Sequence, residues 1–318
     1  MAEDRRPRTR GAVAENARSA PADKAPPVIQ PLPQLAWYDV ADPNSPALDE
    51  LAQRFGLHEL QIEDCRHRGQ RPKTEEHAHY IFTVLKRLQV NRTVMFDDFD
   101  VFLGRDYLIT VHKGTAPLLD KVRRRAEEMK VTRLDRLLYL LVDMIVDEYI
   151  PMLDSFAEDI AAIESAVLQK PDPAVLRRIF QLKRKLIEFR RVSNGMREVV
   201  NMLMRREKGL VGDDLDPYFR DVYDHLMRTA DLAETQRDLL SGALDIYLSA
   251  VANRTNEIMK VLTIYGTIAL PLVVITGFFG MNLHLPWAQD PRGVLYVSGL
   301  MGVSVILVLW YFRRKGWF

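Results

Sequence analysis

Apolar residues fall along this chain in three successive regimes. Between Leu35 and about Met129 they come in short runs. Ala36–Val40 and Tyr80–Val90 read as strands, and Phe99–Leu103 with Tyr107–His112 reads as a hairpin around Gly104-Arg105-Asp106. Ser45 supplies an N-cap and Pro46 a first helical residue, which predicts a helix over Ala47–Phe55. The alternation predicts an α+β domain over residues 34–132.

After Arg133 the period becomes helical. Leu138, Leu141 and Ile145 continue through Met152, Phe156, Ile160, Ile163 and Val167, until Pro171-Asp172-Pro173 ends the run; Pro151 inside it predicts a kink. Asp172 then caps a second stripe of Val175, Ile179, Leu182, Leu186, Phe189, Met196, Val200 and Leu203. Residues 133–208 are therefore expected to form an antiparallel helical hairpin, followed by a loop with Gly209, Gly212, Asp213, Asp214 and Asp216.

The third regime runs from Tyr218 with no stop signal before Asn282. As one helix, residues 218–282 would reach ~100 Å, too long for a compact monomer, which predicts a stalk. Its last part, Val261–Asn282, is twenty-two residues without a charged side chain, enough to cross a hydrocarbon core of ~30 Å. Pro271 is tolerable inside a membrane helix. Residues 283–292 form a short polar connection, and the twenty uncharged residues 293–312 predict a second span, with Ser298 and Gly302 suited to close helix packing. Arg254 and Lys260 before the first span, and Arg313, Arg314 and Lys315 after the second, outweigh Arg292 between them, which puts both termini in the cytoplasm.

Composition narrows the class. The 44 basic and 43 acidic residues nearly cancel, so nothing argues for nucleic acid. The lone cysteine, Cys65, suits a reducing compartment. Residues 1–33, rich in arginine, alanine and proline, are expected to be a disordered cytoplasmic tail, and no segment near Met1 resembles a signal peptide. There is no Gly-x-x-x-x-Gly-Lys-Ser/Thr phosphate loop, and His67, His77 and His79 lack both cysteine partners and the i, i+4 spacing of a helical zinc site. No enzyme is expected, and any transport would be passive.

Two spans per chain cannot enclose an aqueous pore, so conduction would need several copies around an axis. Asp245, Asn256, Met259, Leu262, Gly266, Leu270, Val273 and Gly277 recur at helical spacing and are the candidate pore lining: a ring of Asp245 would attract cations, and the apolar rings would form a gate. The same stripe also fits a helix-packing seam. Gly280, Met281 and Asn282 close the span; a ring of amide and carbonyl oxygens there can hydrogen-bond the waters of hydrated Mg²⁺, an ion that sheds its shell reluctantly. Asn after a helix is equally an ordinary C-cap.

Two C-terminal spans, the first closed by Gly-Met-Asn, resemble the CorA family of divalent-cation channels. YFRDVYDH (Tyr218–His225), TNEIMKVLT (Thr255–Thr263), GFFGMN (Gly277–Asn282), QRPK (Gln70–Lys73) and the tail RRKGWF carry the likeness from about residue 35 to the end. The resemblance implies a funnel-shaped homopentamer in the inner membrane that imports Mg²⁺, with Co²⁺ or Ni²⁺ as further cargo, and that closes when cytoplasmic Mg²⁺ binds between neighbouring subunits. It assigns that regulatory site to Asp221 on the stalk, with Asp97 or Asp98 as the opposing carboxylate. Val273 stands where the family often has a pore threonine, and Leu285-Pro286-Trp287-Ala288 lacks the family's loop glutamate, leaving Asp290. A ZntB-like Zn²⁺ carrier and a non-conducting membrane-anchored sensor or scaffold are the alternatives.

Overall fold

The computed structural model describes residues 28–29, 36–89, 96–205, 209–281 and 292–317. These form two compact units. One comprises Met1–Asp147 and Gly195–Leu226, the other Glu148–Asn194 and Met227–Phe318.

The first unit is built on a six-stranded sheet: β1 (Val28–Ile29), β2 (Ala36–Val40), β3 (Lys73–Glu76), β4 (Tyr80–Leu88), β5 (Phe96–Gly104) and β6 (Tyr107–His112), in the order β1-β2-β6-β5-β4-β3. Neighbours are antiparallel except β2 and β6, where Ala36 pairs with Tyr107 and Val40 with Val111 in parallel. Such a parallel pair needs a long crossover, here the whole of β3 to β5 and two helices. Those helices are α1 (Pro46–Phe55) and α2 (Glu59–Arg66). Ser45 caps α1 by accepting from the Ala47 N–H at 3.3 Å, and Gly56 ends it in the left-handed region at φ 64°.

Strand side chains alternate between two covered faces. On one, Phe82, Phe102 and Ile109 pack with Leu48 and Leu51 of α1 and Ile62 and Cys65 of α2. On the other, Leu85, Val101 and Leu108 are buried, and α4 (Leu134–Asp147) runs against β4, β5 and β6 with α3 (Pro117–Glu128) beside it. Three strands differ from the sequence expectation, among them β3, where none was expected. Val28–Ile29 pairs with β2 although it falls within the expected tail; the other residues of that tail lie outside the described residues. β5 starts at Phe96, so Asp97 and Asp98 lie within the strand rather than before it.

The expected continuous helix from Leu138 to Val167 is broken. α4 ends at Asp147 and α5 runs from Tyr149 to Gln169. Pro151 explains the interruption: it has no N–H for the Asp147 carbonyl, and its ring crowds that carbonyl, whereas a proline is acceptable in the first turn of a new helix. α6 (Pro173–Arg205) starts where Asp172 accepts from the Ala174 N–H at 2.7 Å. In the second unit α5, the first part of α6 and the later part of α7 (Asp216–Phe279) share one apolar layer. Phe189 of α6 meets Tyr149 and Phe156 edge-on, and Gln236 of α7 donates to the Leu153 carbonyl at 2.8 Å. α8 (Gly293–Arg314) follows.

Candidate functional site

α7 is 64 residues long with Pro271 inside it, and its most apolar window and that of α8 each have a mean hydropathy of 2.1 with no residue buried inside the chain. Both helices are long and apolar enough to cross a membrane. Hydroxyls along the α7 span are turned onto its own backbone: Thr263 donates to the Met259 carbonyl at 2.7 Å, Thr267 to Thr263 at 2.8 Å, and Thr276 to Leu272 at 2.9 Å. They thereby need no water.

The span has two unlike sides. Ile264, Ile268, Pro271, Leu272, Ile275 and Phe279 are partly shielded, whereas Asn256, Met259, Leu262, Gly266, Leu270, Val273 and Gly277 are all exposed. At ~100° per residue the second set lies on the side of the helix opposite the first. Asp245, about three turns before Asn256 on the stripe, is exposed as well. The candidate pore stripe is thus on the side that none of the described residues covers.

The helix ends where Gly280 donates to the Thr276 carbonyl at 2.8 Å and Met281 to that of Phe278 at 3.4 Å. A β-carbon on Gly280 would stand 2.9 Å from the Thr276 oxygen, so this position suits glycine and crowds any other residue. Gly280 and Met281 are both exposed. Asn282 and the connection to residue 291, with Asp290, lie outside the described residues.

The acidic candidates part company. Asp98 is 2 % exposed and holds an ion pair with Lys86, its cross-strand partner, while its other oxygen accepts from the backbone N–H groups of Gly69 and Gln70, the latter at 3.1 Å. Asp97 pairs with Arg68 at 2.9 Å and Arg87 at 3.2 Å; burial pushes its pKa up, but the two guanidiniums outweigh it and hold the carboxyl below its usual range. Both carboxylates are engaged by cations of their own domain. Arg68 of the loop after α2 and Lys86 and Arg87 of β4 supply the cations, and none of them is near Asp97 in sequence. Asp100 completes the group. It is fully enclosed, accepts from the Cys65 thiol and lies 3.3 Å from Arg68; burial, reinforced by Asp98, pushes its pKa to about 7.

Asp221 is in a different position. Its side chain is 66 % exposed on the first unit's part of α7, in a surface depression lined by Asp216, Pro217, Arg220 and Asp224. Its neighbours are residues the sequence reading did not single out. His225, one turn on, sits 3.9 Å from both Asp221 and Asp147 of α4. Asp143, one turn before Asp147, takes a hydrogen bond from Tyr139, and burial followed by the charge of Asp147 pushes its pKa to about 6, with Asp221 adding to the effect. Tyr139 is fixed edge-on against Phe219 at 5.7 Å, so α4 and α7 are held in this register. The i, i+4 pairs Asp143/Asp147 and Asp221/His225 were the available signal; that they meet depends on the tertiary fold. Among the described residues of one chain, no three His, Cys, Asp or Glu side chains converge to hold a bare metal ion. The cluster suits a cation that keeps part of its water shell or takes further ligands from a second chain, because uncompensated carboxylates attract cations without needing inner-sphere contact.

Comparisons with known proteins agree with this architecture. A cobalt/magnesium transport protein CorA from Thermotoga maritima is 37 % identical over 278 residues, covering 85 % of this chain and 79 % of that one. The solved structure of the CorA magnesium transporter from Methanocaldococcus jannaschii superposes with a TM-score of 0.81 at 25 % identity, covering 90 % of this chain and 92 % of that one. The cytoplasmic domain of ZntB from Vibrio parahaemolyticus shares the fold alone, at 14 % identity and a TM-score of 0.57 over 71 % of this chain and 90 % of that domain. The family profile described as CorA-like Mg2+ transporter protein matches residues 33–314, and with it the soluble α/β domain, the long helix and the two C-terminal apolar helices place this chain in the CorA family of membrane-integral ion transporters, which are not enzymes.

Proposed function

We propose that the chain is a passive channel for Mg²⁺, with Co²⁺ or Ni²⁺ as further cargo, formed by a ring of five copies in the inner membrane with both termini in the cytoplasm. The observation that carries this reading is the uncovered α7 stripe. Several copies turning that stripe inward would enclose a path with Asp245 at one end, apolar rings of Met259, Leu262, Leu270 and Val273 along it, and Gly280, Met281 and Asn282 at the other end. The T. maritima relative's name supports both Mg²⁺ and Co²⁺ as cargo. No ATP site is needed. A membrane potential supplies ~2.3 kcal/mol per charge per 100 mV, hence ~4.6 kcal/mol for a divalent ion.

Regulation by internal Mg²⁺ rests on the Asp221 cluster. In this proposal a hydrated ion lies between Asp221 of one subunit and its neighbour, with Asp143 adding negative potential. Loss of the ion leaves carboxylates facing one another and favours opening. Because α7 carries both Asp221 and the pore stripe, a change at the one end is passed along a single helix.

Purified protein in liposomes tests the reading. Mg²⁺ entry under an inward-negative potential at low internal Mg²⁺ is expected, and Asn282→Ala should abolish it with the oligomer intact. Absence of Mg²⁺ entry would leave a scaffold, and proton-coupled Zn²⁺ uptake in its place would favour a ZntB-like carrier.

A further inference from the structure

The α5–α6 hairpin presents two unlike outer faces. On α6, Arg177, Phe180, Arg184, Ile187 and Arg191 recur at i, i+3, i+7, i+10 and i+14, on the side opposite the buried Ile179, Leu182, Leu186 and Phe189. Phe180 and Ile187 are 47 % and 52 % exposed, in a part of the chain that precedes the membrane helices. Between Arg177 and Arg191 there are seven basic residues against the single Glu188. α5 is the converse: Asp154, Glu158, Asp159 and Glu164 with no Lys or Arg. Its outer face carries Asp154, Glu158, Ala161, Ser165 and Leu168, the last 75 % exposed. Among the described residues, Arg177, Arg184, Arg191, Asp154 and Glu158 form no ion pair within their own chain.

These faces cannot meet in one chain, because both point away from the apolar layer that α5 and α6 share with α7. Their levels nevertheless match. Arg178 sits 3.9 Å from Asp159, and Phe189 packs on Tyr149, so Arg184 is level with the α5 turn carrying Asp154 and Glu158. α6 in turn runs antiparallel to α7, as Ser193 meets Thr229, Arg190 meets Glu234 and Lys183 meets Ser241. Copies related by rotation about an axis along α7 therefore keep these levels, and the basic face of one comes opposite the acidic face of the next.

We propose that the Arg177–Arg191 face of α6 is a subunit seam seated on the Asp154–Leu168 face of α5 of a second copy. Two different faces make a head-to-tail contact, which closes into a ring rather than a pair. Arg184 meets Asp154 and Glu158 in charge-assisted hydrogen bonds, and Phe180 and Ile187 are covered between the two helices in a heptad-like seam. The inference rests on the several-copy assembly proposed above.

The test co-expresses two differently tagged full-length chains, one carrying Arg184→Cys and the other Glu158→Cys, and oxidises them in the membrane. The native Cys65 is buried and leaves the wild type as a blank. A disulfide-linked band bearing both tags is expected from the mixture and from neither chain alone. Arg184→Glu should lower the temperature at which the detergent-solubilised oligomer dissociates, and adding Glu158→Arg should restore it. An intact oligomer without the mixed band, or a band from the Arg184→Cys chain alone, overturns the seam while leaving the channel reading. A wild-type chain that is monomeric in detergent and in membranes overturns both.

Discussion

Gly280 approaches the Thr276 carbonyl so closely that an added β-carbon would lie 2.9 Å from its oxygen, at the point where the α7 span gives way to Met281. The carbonyl belongs to the same helix and cannot swing aside as a flexible side chain would. Gly280→Ala should therefore displace the end of the helix, at a cost of ~1–3 kcal/mol for overpacking. The expected result is an assembled oligomer whose Mg²⁺ flux into liposomes falls at least tenfold. Wild-type flux in this variant would show that the helix end is free to shift without affecting conduction.

Asp98 ties β4 to the loop after α2. Its removal takes an ion-pair partner from the buried Lys86 and strips the Gly69 and Gln70 N–H groups of an acceptor. Breaking one side of a buried pair costs ~3–5 kcal/mol. Asp98→Ala should lower the unfolding temperature by the same margin with Mg²⁺ and with EDTA. A loss that appears only in Mg²⁺ would instead mark Asp98 as a ligand of the regulatory ion.

Asp100 gives the soluble unit a pH dependence. Burial raises its folded-state pKa from 3.8 to about 7, so the folded chain holds a proton there that the unfolded chain releases. Its contribution is fully present below pH ~4 and is lost as the pH rises through about 7. Asp100→Asn, which keeps the shape and cannot ionise, should remove that decline. Unfolding midpoints measured from pH 5 to pH 8 check this, and parallel curves for variant and wild type would refute it.

The legible parts of the fold are those fixed by local pattern. An uncharged run of twenty-two residues predicts the α7 span, and Ser45 and Asp172 mark helix starts because their side chains satisfy N–H groups two residues away. β3 escaped because Lys-Thr-Glu-Glu has no apolar alternation and lies half-buried along the sheet edge. The fate of Asp97 and Asp98 was hidden for a different reason: adjacent acidic residues look alike whether solvated or buried, and their cations come from β4 and the loop after α2. Asp143 was masked by the apolar stripe of α4, in which a polar residue reads as an outer position until α7 is laid against it.

That cluster makes the regulatory proposal testable through two residues at once. Asp221 is exposed and tied to no Lys or Arg in an ion pair among the described residues, so Asp221→Lys should leave the fold unchanged while replacing an attraction for Mg²⁺ with repulsion. Asp143→Asn removes the less exposed charge that raises the local negative potential. Coupling between an effector and its target is commonly ~1–3 kcal/mol, or ~5- to 150-fold. The internal Mg²⁺ concentration that halves flux should therefore rise at least fivefold for Asp221→Lys, with a smaller rise for Asp143→Asn because its effect acts through potential rather than as the exposed ligand. Conduction at zero internal Mg²⁺ should stay at the wild-type level in both, since neither residue lies on the pore stripe. Inhibition curves that coincide with the wild type would take internal Mg²⁺ sensing away from this cluster, whereas curves that shift only in the Asp143 variant would move the ligand from α7 to α4.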